Sequence, residues 1–244
     1  MSRFVKKMRS IIKKKFDLNL IDKKTYPFFE QVFFRKISRI ITPQLAKTKV
    51  SPTVINILGF LIGIGGLLMV ALGSYWVRVG GGLVLIISYL LDCVDGELAR
   101  GYKMSDKFGA LLDTTLDSIK ESFVMFALGG AYFIQTHDGH IEIYLVTILF
   151  LQRMFGRTLP WFRMLYHEDV NKIKVISLQN MSKLLRPIAV FFSEAYRSGT
   201  IWIVVLLGII TNQLLETLIY FIIVTFALFL FLIYESYKHH KKNH

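Results

Sequence analysis

The sequence predicts an all-α integral membrane protein, with six transmembrane helices preceded by an N-terminal amphipathic juxtamembrane helix. Composition points there first: 53% hydrophobic and only 19% charged residues over 244 positions, with a mean hydropathy of +0.48, exceed what an ordinary soluble domain carries. Apolar runs long enough to cross a bilayer then recur along the chain, and Lys and Arg gather at its ends and on alternate loops. The single cysteine, Cys93, excludes an intramolecular disulfide framework and a Cys-based zinc cluster. A net charge of +13 calls for an anionic partner. With no nucleic-acid-binding motif among the basic residues, that partner is the membrane lipid surface and not nucleic acid.

Residues 1–49 read as a basic cytosolic segment, with fourteen Lys/Arg against Asp17, Asp22 and Glu30 and no signal-peptide pattern. Within it Phe33, Phe34, Ile37, Ile40, Ile41 and Leu45 recur at helical spacing, with Arg35, Lys36 and Arg39 between them, the pattern of a helix lying on the membrane surface. Ser51-Pro52 supplies an N-cap and a first-turn proline for span one, Thr53 to Tyr75. Gly59, Gly63, Gly65 and Gly66 in that span suit close helix packing in lipid. Span two starts near Val79, after a turn containing Arg78, and runs into Asp92 and Asp95. Span three starts near Phe108, holds Asp113 and Asp117, and ends before the polar stretch Gln135 to His140. Spans four, five and six cover about Ile141 to Pro160, Ser198 to Thr211 and Leu214 to Tyr237. Leu184 to Tyr196 is either an interfacial helix or the first part of span five. The membrane domain thus occupies residues 50–238, and 239–244 form a basic cytosolic tail.

Loop charges orient this arrangement. Arg100, Lys103, Lys107, Arg163, Lys172, Lys174, Lys183, Arg186 and the tail lysines fall on one side, and Arg78 alone on the other. The positive-inside rule therefore predicts a multi-pass protein of the cell membrane with its termini and the aspartate-rich stretch at the cytosolic face.

That stretch carries the chemistry. Asp92, Asp95, Asp113 and Asp117 lie within 26 positions between membrane-grade segments, where each carboxylate costs several kcal/mol (roughly) unless paired or metal-bound. Asp92 and Asp95 are three apart and Asp113 and Asp117 four apart, so each pair projects from one helix face. Two such faces opposed make an all-oxygen cage. That ligand set suits Mg²⁺ or Mn²⁺, and Mg²⁺ is commonly shared between carboxylates and substrate phosphates, so a diphosphate is the natural guest. Arg100 can reach a phosphate oxygen, while Gly96, Ala99 and Gly109 leave room for a ligand against the backbone.

Asp92, Asp95, Gly96, Ala99, Arg100, Gly109, Asp113 and Asp117 match at every fixed position the pattern D-x2-D-G-x2-A-R-x8-G-x3-D-x3-D. Chance would produce that match with a probability on the order of 10⁻⁸. The chain thereby resembles the CDP-alcohol phosphotransferases over roughly residues 35–237. The resemblance implies six spans, a homodimer and a cytosol-facing site holding one or two Mg²⁺ or Mn²⁺ ions. It implies metal ligation by Asp92, Asp95, Asp113 and Asp117, with Asp117 also the catalytic base that deprotonates the acceptor hydroxyl. It places Asp92, Gly96, Ala99, Arg100 and Gly109 around the CDP moiety. Many members begin span one with Pro-Asn-x-x-Thr; here Pro52-Thr53-Val54-Ile55-Asn56 exchanges the two polar types, and Thr53 and Asn56 are the candidate CDP contacts.

The activity so implied is phospholipid synthesis: transfer of a phosphatidyl-type group from a CDP-alcohol, such as CDP-diacylglycerol or a CDP-dialkyl lipid, to a polar head-group alcohol with release of CMP. A soluble CDP-alcohol donor used with a lipid acceptor is the alternative. On span four Arg153 lies about 18 Å from the outer surface and Arg157 one turn nearer the cytosol. A phosphate on the acceptor would satisfy both, which favours inositol phosphate or glycerol phosphate; a salt bridge to Glu121 is the competing reading. Lys120, Arg163 and Arg186 are further acceptor-binding candidates, although snorkelling anchors have the same signature. From another class, a divalent-cation transporter would also place carboxylates in the membrane. It would not require Gly96, Ala99 and Gly109, and Arg100 would repel its ion.

Overall fold

The computed structural model describes residues 16–21, 28, 30–104, 107–145, 147–148, 151 and 198–243, and every regular element among them is helical. A short 3₁₀ turn, Leu18–Leu20, precedes a π-helical turn, Glu30–Phe34, that runs into α1, Arg35–Lys47. Four long helices and one shorter one follow: α2, Pro52–Leu72; α3, Tyr75–Gly101; α4, Lys107–Thr136; α5, Ser198–Ile210; and α6, Leu214–Asn243. Residues 141–145 begin a further helical stretch whose continuation, predicted as span four, lies largely outside the described residues.

By length and composition α2 and α3 can each cross a membrane. Leu58, Leu61, Ile62, Leu68 and Leu72 on α2 stay exposed in the chain alone, as residues facing lipid would. α4 is longer than either, but its first half carries Asp113, Asp117, Lys120 and Glu121.

α2 and α3 form an antiparallel hairpin packed through glycine. Gly59, Gly63 and Gly66 line the face of α2 turned to α3, where an added Cβ would lie 3.3 Å from Leu91 Cβ, 2.7 Å from Ser88 Oγ and 3.0 Å from the Gly81 carbonyl oxygen. Ser88 Oγ donates to the Gly59 carbonyl at 2.7 Å across this contact. Gly65 does not belong to the stripe: it is exposed with open space around it, because only the i, i+4, i+7 positions share the face. On its other flank α3 packs through Gly82 against Leu206 of α5, and Tyr89 meets Phe34 edge-on at 4.6 Å.

One local expectation is corrected and two are refined. Arg78 is not in a turn; it sits in the first turn of α3, buried, donating through Nε to the Gly73 carbonyl at 2.9 Å and through Nη1 to Gln135 Oε1 at 3.1 Å. It thereby ties the α2–α3 connection to the end of α4. Ser51 is the N-cap of α2 with Pro52 in the first turn, as predicted, although its side chain makes no capping hydrogen bond. The apolar residues of the predicted surface helix do not all share one outward face. Phe33, Ile37 and Ile40 are exposed, whereas Phe34 is buried and Ile41 and Leu45 pack inward against the Ala46, Val94 and Leu98 cluster. Arg35, Ser38 and Thr42, at i, i+3 and i+7, are buried with them, because all three bond to Glu97 of α3.

Close backbone approach between Gly66 and Gly81 predicts that Gly81→Val, whose Cβ would stand 2.8 Å from the Gly66 carbonyl oxygen, destabilises the detergent-solubilised protein by about 1–3 kcal/mol, read as a lowered Tm.

Candidate active site

The C-terminal turns of α3 and the N-terminal turns of α4 converge at one end of the bundle. Helix geometry sorts α3 into two sides. At about 100° per residue, Asp92, Asp95, Gly96, Ala99 and Arg100 fall within an arc of about 140°, and all but Asp95 are only half-buried. The intervening Cys93, Val94, Glu97 and Leu98 occupy the rest of the circumference and are fully buried. On α4 the same spacing puts Gly109, Asp113, Asp117 and Lys120 on a common face.

Carboxylate oxygens of Asp92, Asp95 and Asp113 lie within 4.8 Å of one another. α2, which packs against both α3 and α4, supplies Asn56, whose Nδ2 donates to Asp113 Oδ1 at 2.8 Å. Two oxygens here, Asn56 Oδ1 and Asp95 Oδ2, are buried without a hydrogen-bond donor. Grouped carboxylates and orphaned oxygens repel each other unless a cation joins them. An octahedral Mg²⁺ or Mn²⁺ ion, with oxygens spread over roughly 3–4 Å across its shell, fits this donor set with modest side-chain adjustment.

One turn further along α4, Asp117 accepts from Lys120 Nζ at 2.9 Å. Lys120 is almost wholly buried, and the missing side chain of Gly63 makes room for it: a Cβ there would stand 3.0 Å from Lys120 Cδ. The structure therefore places Lys120 against Asp117. Arg153, Arg157, Arg163 and Arg186 lie outside the described residues. Thr53 sits half-buried in the first turn of α2, one turn from Asn56. Arg100 donates through Nε to the Ile21 carbonyl at 2.8 Å, and its Nη1 lies close to where a Cβ on Gly96 would be, at 3.2 Å. Behind it Asp17 N–H donates to the Gly101 carbonyl at 3.0 Å and Phe16 meets Tyr102 edge-on, so residues 16–21 strap the end of α3.

Sequence reasoning missed the group behind α3. Glu97, with no exposed surface, accepts from Arg35 Nη1 at 2.8 Å, Ser38 Oγ at 2.7 Å and Thr42 Oγ1 at 2.5 Å. Arg35 also donates to the Cys93 carbonyl at 3.1 Å and pairs with Glu30. Burial by itself would lower the Arg35 pKa; Cys93, Glu97 and Glu30 outweigh it and hold the guanidinium above its usual range. A polar stripe at i, i+3, i+7 on α1 facing an acid inside an apolar helix was the available signal.

Residues 49–230 match the family model described as CDP-alcohol phosphatidyltransferase. The chain belongs to that family. Among curated relatives, it is 39% identical over 90 residues to the bifunctional IPC transferase and DIPP synthase of Aquifex aeolicus, covering 37% of this chain and 20% of that one. It is 35% identical over 92 residues to the archaetidylinositol phosphate synthase of Pyrococcus horikoshii, covering 35% and 45%. With the phosphatidylinositol phosphate synthase of Mycobacterium tuberculosis it shares 31% identity over 103 residues, covering 42% and 46%. Each match thus spans less than half of the relative. The crystal structure of Mycobacterium tuberculosis phosphatidylinositol phosphate synthase with CDP-DAG bound superposes with a TM-score of 0.61 at 17% identity, covering 83% of this chain and 94% of that one, which establishes a shared fold.

Asn56→Leu keeps the side-chain size but removes the donor to Asp113. It is expected to weaken Mn²⁺ binding by about tenfold, read by titration of the free-Mn²⁺ EPR signal, with little change in Tm.

Proposed function

We propose that this chain is a divalent-metal-dependent transferase of phospholipid synthesis. It moves the phospho-alcohol group of a CDP-alcohol, CDP-diacylglycerol or a CDP-dialkyl lipid, onto a polar head-group alcohol and releases CMP. The observation that carries this reading is the convergence of Asp92, Asp95 and Asp113 within 4.8 Å beside the Asp117–Lys120 pair. Asp92, Asp95 and Asp113, with Asp117 at the margin, would hold Mg²⁺ or Mn²⁺, which when bound neutralises charge on the diphosphate. Gly96, Ala99 and Gly109 leave room for the nucleotide, Arg100 bonds a phosphate oxygen, and Thr53 and Asn56 lie at the start of α2 beside it.

Asp117 takes the proton from the acceptor hydroxyl as that oxygen attacks the β-phosphorus and the bond to the CMP oxygen breaks. Lys120, held between Gly63 and Asp117, fixes the direction of the carboxylate. The acceptor is inositol phosphate, with glycerol phosphate next. The relatives' names support the first, and Arg153 and Arg157, with Arg163 and Arg186, are the cations proposed to meet its phosphate.

Six spans, a homodimer and a cytosol-facing site complete the proposal. The two membrane-capable helices and the one-sided loop charge support its topology. Residues 50–238 form the transferase domain, residues 1–49 and 239–244 its basic cytosolic flanks.

Purified protein given CDP-diacylglycerol and a panel of inositol phosphate, glycerol phosphate, inositol and serine should form CMP and a phospholipid product with inositol phosphate, as read by mass spectrometry. EDTA should abolish the reaction, and Mg²⁺ or Mn²⁺ should restore it. Asp117→Asn should lower kcat by about 10²–10⁴-fold; near wild-type turnover would remove Asp117 as the base. Metal-ion flux into proteoliposomes without CMP formation would overturn the transferase reading in favour of a transporter.

A further inference from the structure

Glu97 lies inside the signature at a position the signature leaves free, yet it is completely buried and accepts three hydrogen bonds from α1. It stands about 200° around α3 from Asp95 and about 140° from Asp92, so it faces away from the carboxylate group. Arg35 holds the same turn twice, through Glu97 Oε1 and the Cys93 carbonyl. A helix gripped this way at two points cannot rotate about its axis without breaking a buried ion pair and exposing unpaired donors. Rotation about that axis is the motion that would turn Asp92 and Asp95 out of reach of Asp113.

We propose that Glu97, with Arg35, Ser38 and Thr42 of α1, is a positioning residue that fixes the rotation of α3 and thereby the direction in which Asp92 and Asp95 face. This rests on the transferase reading for its consequence, but the grip itself is independent of any substrate. α1 is then a structural arm of the active site as well as a surface helix: Ile37 and Ile40 point outward while its polar residues hold the motif from behind. The network lies on the opposite side of α3 from Asp92 and Asp95, so its loss acts through the direction of those carboxylates.

The test uses the full chain in detergent or nanodiscs. Glu97→Gln keeps the side-chain shape but presents an amide donor to a pocket of donors. It is expected to lower Mn²⁺ affinity by about tenfold, read by EPR without any nucleotide, and to raise the thiol-labelling rate of buried Cys93. CMP release should fall at limiting Mn²⁺ and recover towards wild type at saturating Mn²⁺. Thr42→Val and Ser38→Ala each delete one hydrogen bond and should shift Mn²⁺ affinity in the same direction by less; they decide the matter if Glu97→Gln does not fold. Unchanged Mn²⁺ affinity in folded variants, or a loss of CMP release that saturating Mn²⁺ does not relieve, would overturn the positioning role. A wild-type protein that binds Mn²⁺ but makes no CMP with the acceptor panel would instead overturn the transferase reading, leaving the Mn²⁺ and Cys93 comparison to decide this one.

Discussion

Everything at the working end of the bundle depends on how one helix disposes of its acids. Within six residues α3 carries Asp92, Asp95 and Glu97 in a setting where an unsatisfied carboxylate is costly. The two sides of the helix solve this differently. Glu97 is paired with an arginine and accepts from two hydroxyls of α1. Asp92 and Asp95 are instead gathered with Asp113, and buried oxygens of Asp95 and Asn56 are left without donors. One side is a finished structural contact and the other is a set of oxygens that a cation would satisfy.

α2 makes the second side possible. Its glycine stripe lets α3 approach closely, and Gly63 also admits the Lys120 side chain that reaches Asp117 on α4. Its first turns present Asn56 to Asp113. The two halves of the motif, separated by a turn, are thus registered through a third helix. The turn itself closes with Lys103 at φ 53°, where Met104 N–H donates to the Ala99 carbonyl at 2.8 Å. A left-handed residue ends the helix here without glycine, at a local cost of about 1–2 kcal/mol.

Long apolar runs and the aspartate spacing were legible because each is a periodic property of consecutive residues. Among the described residues, the bounds of α2, the ends of α4 and α5 and the start of α6 follow the predicted spans to within a few residues, whereas α6 extends to Asn243 and α3 starts earlier, at Tyr75. What was not legible depends on which neighbour a face meets. Gly65 and Gly66 are adjacent in sequence, but only Gly66 meets α3. Arg78 looked like a loop cation because its partners, Gly73 and Gln135, lie on two other segments. On α1 the apolar periodicity was visible, but the polar face clamped to a buried acid was not. Only the position of Glu97 reveals it.

This bears on what a motif records. A fixed pattern with free positions between its members invites the view that the free positions are spacers. On a helix they cannot be neutral, because residues set on one arc oblige those between them to fill the opposite arc. In α3 the fixed residues occupy about 140° facing the site, and the free ones, Cys93, Val94, Glu97 and Leu98, are the more deeply buried. Packing can satisfy Val94 and Leu98 with any apolar partner of suitable shape, so their identities can vary between sequences without altering the site. A buried carboxylate has no such freedom: Glu97 needs the donors that Arg35, Ser38 and Thr42 supply. The side of α3 that faces the site carries the fixed residues of the motif, while the side that faces α1 carries a buried acid whose partners lie outside it.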